Sequence, residues 1–150
     1  MSERRFFTLD EANAMVPWLK QCFGRILQLR SQLRSHYHSL EQRGYRPGEQ
    51  NLPAADDAAE GRSEIAALKA RVSGLMEALR AELDAITERG IEIKDPDQGL
   101  CDFWAVHEGR EVYLCWRFGE DRIDFYHDPH AGFAGRKPIG HGPAKPRILH

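Results

Sequence analysis

Apolar residues in the first part of the chain recur at alternating steps of four and three: Met15, Leu19, Cys22, Ile26, Leu29, Leu33 and Leu40, with His36 in the same seam. Val16, Phe23, Leu27 and Tyr37 widen the stripe, which is broader than a bare two-stranded coiled coil needs. The spacing predicts a helix over about 9–43. Thr8 and Glu11 form a capping box at its start, with Phe7 placed to staple onto the first turn. Pro17 removes one backbone donor, so a kink near residues 13–17 is expected rather than a break, because the seam continues in register. A second seam, Ile65, Leu68, Val72, Leu75, Leu79 and Ile86, follows a second capping box at Asp57 and Glu60. It predicts a helix over about 57–89, stopped by Gly90. At 1.5 Å per residue each helix is roughly 45–50 Å long. The polar connection YRPGEQNLPAAD lets the two lie antiparallel, seam against seam.

From Ile91 the period drops to two. Ile91–Lys94 reads as a short strand and DPDQG as a turn, and Leu100–Val106, Glu111–Phe118 and Arg122–His127 alternate as further strands. If both hairpins have two-residue loops, 107 pairs with 110 and 118 with 121. One face then carries Phe103, Ala105, Val112, Leu114, Trp116, Phe118, Ile123 and Phe125, with Cys101 and His127 at its ends. The other shows cross-strand rows: Asp102, Cys115 and Asp124, then Trp104, Tyr113 and Tyr126. A slip of one residue would reshuffle these rows. The expected architecture is α+β: a long antiparallel helical hairpin on a small antiparallel sheet of three or four strands. Residues 1–139 form a single domain with the sheet over about 91–127, a Gly/Arg loop follows at 128–139, and 140–150 is a flexible tail.

Three aromatics on a face otherwise left to solvent indicate a covered surface, which makes Trp104, Tyr113 and Tyr126 interface candidates. An Asp/Cys/Asp row suits neither a soft nor a hard cation, and charge pairing with Arg117 and Arg122 is the simpler use of those aspartates. Carboxylates beside Cys115 would also push its pKa up, the wrong direction for a nucleophile. His127, Asp128 and His130 offer two imidazoles and a carboxylate as metal candidates. The following segment, AGFAGRK, could hold an anion on exposed amides with Arg136 gripping it.

Composition narrows the classes. Among 150 residues the net charge is −2 and the pI near 6.4, which provides no global attraction for nucleic acid or an anionic membrane. The three cysteines have no CxxC spacing, which argues against a disulfide framework and for a reducing cytoplasm. No run of 18 apolar residues occurs, so no membrane helix is expected. No nucleophile–base pair or other catalytic signature is visible.

The segments FFTLDEANAMVPWL, IEIKDPDQGLCDFWA and GREVYLCWRFGEDRIDFYHDPHAGFAGRKPI resemble the uncharacterised bacterial family known as domain of unknown function 2203. The resemblance spans residues 6–139, with residues 40–85 alike only in helical character. It implies that Gly99, Asp102, Trp116, Gly119, Glu120, His127, Asp128, Gly132, Phe133, Gly135 and Arg136 are signature positions, and it supplies no activity. His130 lies outside that pattern. Asp102, Glu120, His127, Asp128 and Arg136 are therefore the ligand-binding candidates. The reading with most support is a non-enzymatic domain that self-associates as a dimer through its hairpin or aromatic face. The alternatives are small-ligand, anion or metal binding at the sheet end, and single-stranded nucleic acid on the aromatic face.

Overall fold

The computed structural model describes residues 4–45 and 58–140. The connection between the helices, the cap residue Asp57 and the tail from residue 141 onward lie outside the described residues. Two helices, α1 (Leu9–Gln42) and α2 (Ala58–Thr87), precede five strands: β1 (Glu92–Asp95), β2 (Leu100–His107), β3 (Arg110–Arg117), β4 (Phe125–His127) and β5 (Lys137–Pro138). The α+β expectation holds, with one strand more than the periodicity revealed. Among the described residues no helix is long and apolar enough to cross a membrane.

The chain divides into two compact units, one formed by residues up to Gly24 together with those from Leu83 on, the other by Arg25–Glu82. In the second unit Arg25 pairs with Glu82 and Arg43 with Glu64. Partners that move forward along α1 move backward along α2, which fixes the helices as antiparallel. Ile26, Leu33, Leu40 and Ile65 are buried between them.

In the first unit the capping box forms as expected: Thr8 N donates to Glu11 Oε1 at 2.9 Å, and Glu11 N to Thr8 Oγ1 at 3.0 Å. Phe7 packs edge-on against Phe103 with ring centroids 5.0 Å apart, and its amide donates to the Trp104 carbonyl at 2.7 Å. α1 is continuous through Pro17.

The sheet is an antiparallel meander in chain order, β1-β2-β3-β4-β5. The β2–β3 register is the one the two-residue loop predicts, running from Leu100↔Arg117 to His107↔Arg110. Glu108 and Gly109 both take positive φ, 53° and 78°, the backbone of a tight hairpin turn that follows the sheet twist. The inner face, Cys101, Phe103, Ala105, Val112, Leu114 and Trp116, is buried. Phe23 of α1 lies against Trp116 and Phe118, with centroids 6.0 and 6.2 Å away.

The second hairpin departs from expectation by one residue. β3 and β4 pair as Tyr113↔His127, Leu114↔Tyr126 and Cys115↔Phe125, not as a 118/121 turn requires. Four hydrogen bonds accompany the longer loop. The Glu120 amide donates to the Arg117 carbonyl and its carboxylate accepts from the Arg117 amide. Asn13 Oδ1 takes the Ile123 amide at 2.7 Å, and the Asp124 carbonyl takes the Ile139 amide at 2.8 Å. Every side chain of β4 therefore exchanges faces: Phe125 and His127 move to the outer face, and Tyr126 leaves it.

Candidate functional site

The exchange of faces creates the site. Asp102 and Cys115 are cross-strand partners on β2 and β3, as expected. The residue that reaches them from β4 is His127 and not Asp124. His127 Nε2 lies 3.0 Å from Asp102 Oδ2, and the Cys115 thiol is also in hydrogen-bonding contact with the imidazole. Asp102, Cys115 and His127 are only 3, 1 and 2% exposed, and one donor atom from each lies within 4.8 Å of the other two. The second ring nitrogen, Nδ1, donates to the Asp128 carbonyl at 2.8 Å. Both nitrogens thus face acceptors, an arrangement satisfied in full by the imidazolium. Burial alone would lower the pKa of this ring; bonds to Asp102, Cys115 and the Asp128 carbonyl outweigh it and push the value up to about 10.

Around this centre the outer face is closed by the chain itself. The Arg4 guanidinium sits 4.3 Å above the Trp104 ring and Phe6 packs beside it. Lys94 Nζ lies 4.2 Å over Tyr113 and 3.7 Å from Asp102 Oδ2. Tyr113 donates to Glu92 Oε1 at 2.9 Å, and burial together with that bond raises its pKa. Trp104 and Tyr113 stack at 4.0 Å and are 8 and 5% exposed. Tyr126 is not in their row. It lies on the opposite face against His107 at 4.7 Å.

The Gly/Arg loop makes a second structure. Arg136 bonds Glu120 bidentately, at 3.0 and 3.1 Å, and donates to the Cys115 carbonyl at 3.3 Å. Its guanidinium lies between the rings of Phe125 and Phe133, at 4.2 and 4.5 Å. The cation expected to grip an anion is already engaged by an internal carboxylate. Asp128 directs its carboxylate outward to Arg110 and Lys137, at 3.2 and 3.5 Å, and His130 is exposed.

The five ligand candidates therefore fall into two pairs, Asp102 with His127 and Glu120 with Arg136, plus Asp128 behind His127. Cys115 joins both, through its side chain to the first pair and its carbonyl to the second. Cys115 pairs with Asp102 in the register that the sequence predicts, but the third member of the group, His127, follows only from the β4 register. The metal set His127, Asp128 and His130 does not assemble, whereas Asp102, Cys115 and His127 converge.

The family described as "Uncharacterized conserved protein (DUF2203)" matches residues 5–139 of the chain. No curated protein and no solved structure matches it.

Proposed function

The chain belongs to that uncharacterised family, and from its geometry we propose that it works as a self-associating module, two copies meeting along their helical hairpins. One observation carries this reading. In the Arg25–Glu82 unit the apolar stripe is only half covered: Leu27 and Leu29 on α1 and Leu68, Val72, Leu75 and Leu79 on α2 are partly exposed, and Met76 is 48% exposed. Two helices bury one seam between them, and a stripe wider than that seam is completed by further helices, as in a four-helix bundle. Covering the exposed part of each leucine, a minority of its surface, is worth roughly 0.5 kcal/mol. The outer sheet face has no such need, since Arg4, Phe6 and Lys94 already cover Trp104 and Tyr113.

Sedimentation equilibrium at tens of micromolar tests it. The expected result is a dimer that Leu75→Glu with Leu79→Glu converts to a helical monomer. A strictly monomeric wild-type chain ends this reading.

A further inference from the structure

We propose that Asp102, Cys115 and His127 form a binding site for a first-row transition ion of the zinc class. Three adjacent strands in fixed register deliver one carboxylate, one sulfur and one imidazole nitrogen to a common point, with the donor atoms within 4.8 Å of one another. Zinc accepts this mixture of O, S and N donors, whereas magnesium and calcium require oxygen. Metal–ligand lengths of 2.0–2.3 Å in a tetrahedral site place donors about 3.3–3.6 Å apart. The observed Nε2–Oδ2 separation of 3.0 Å needs to open only slightly.

The orientation of His127 is the second, independent observation. Its Nδ1–H is held by the Asp128 carbonyl at 2.8 Å, the contact that typically fixes the tautomer of a metal-bound histidine and aims the other nitrogen at the ion. One neutral imidazole, one carboxylate and one thiolate bring two negative charges to a divalent ion, so the occupied buried site would be near neutral and avoid the cost of an unpaired interior charge. Lys94, 41% exposed and 3.7 Å from Asp102 Oδ2, leaves the carboxylate one side chain away from solvent. That position supplies an entry route, with the lysine displaced as the ion arrives.

Cobalt(II) is the probe, because a thiolate ligand gives it an intense charge-transfer absorption and tetrahedral geometry gives strong visible bands. The chelator-treated full-length chain is titrated with Co²⁺ and then with Zn²⁺. One equivalent of Co²⁺ per chain is expected to develop both absorptions, and Zn²⁺ to abolish them. Folded Cys115→Ser should lose the charge-transfer band. Cys22→Ala should keep it, and so should Cys101→Ala, because Cys101 lies on the opposite face of the sheet from Asp102 and Cys115. Should Cys115→Ser fail to fold, Asp102→Asn keeps the shape and a hydrogen-bonding oxygen, and is expected to weaken Co²⁺ binding at least tenfold. No charge-transfer band in the folded wild type, a band that survives in folded Cys115→Ser, or unchanged affinity in Asp102→Asn overturns the proposal.

Discussion

His127 crosses over β3 to meet Asp102, 3.0 Å away, although the two strands that carry them are not neighbours. Because the folded ring titrates at about 10 instead of 6.5, the native state binds its proton more tightly than the unfolded chain. The stabilisation is complete below the unfolded value and is lost as pH rises through the folded one. In the metal-free protein, urea-unfolding stability should therefore fall between roughly pH 6.5 and 10, and Asp102→Asn should flatten that fall. Ring nitrogen NMR should find both protons on His127 at about pH 8; a ring that titrates near an ordinary histidine value refutes the assignment.

Arg136 is held by two parallel bonds to Glu120 and by rings on both sides. Lysine keeps the charge but neither the fork nor the flat faces. Arg136→Lys should cost about 1–2 kcal/mol in thermal or chemical unfolding. It should also speed amide exchange in the 133–138 segment. Unchanged stability and exchange would mean that the clamp contributes nothing.

Gly99 combines φ of +68° with a close neighbour, since an added Cβ would lie 2.5 Å from Phe118 Cβ. Gly99→Ala meets backbone strain and a clash together, and should lower unfolding free energy by about 2 kcal/mol. Circular dichroism during urea titration measures it.

Glu108 is the one non-glycine residue with positive φ among the described residues. Asparagine tolerates that conformation better and before Gly109 gives the preferred tight-turn pair. Glu108→Asn should raise the melting temperature, with a gain of about 0.5–1 kcal/mol. A lower melting temperature would show that the Glu108 side chain contributes more than its backbone costs.

Much of this fold was legible because its determinants are local. Thr8 and Glu11 lie three apart, and Glu108–Gly109 sets the β2–β3 register by turn chemistry alone. What escaped depended on distant partners. The β4 register is set by Asn13 holding the Ile123 amide and by Ile139 donating to the Asp124 carbonyl, contacts with no trace in the alternation of 122–127. The same slip put Asp124 where Phe125 stands and hid the convergence of His127 with Asp102 and Cys115. The aromatic row signalled a covered surface correctly for Trp104 and Tyr113, but periodicity could not reveal that Arg4 and Phe6 of the same chain are the cover. Arg136 read as an anion grip because Glu120, its partner, sits in a different loop.

The meander has a kinetic corollary. Each strand bonds to the one made just before or after it, so the hairpins close over short loops at small entropic cost. Asn13 meets Ile123 across 110 positions, and Phe7 meets Trp104 across almost as many. Docking of the α1 start is therefore expected to follow closure of the hairpins, and in a chain emerging from synthesis Asn13 finds its partner only once Ile123 has been made. Mutations in the β2–β3 turn should alter the folding rate, whereas loss of the Asn13 bond should mainly speed unfolding.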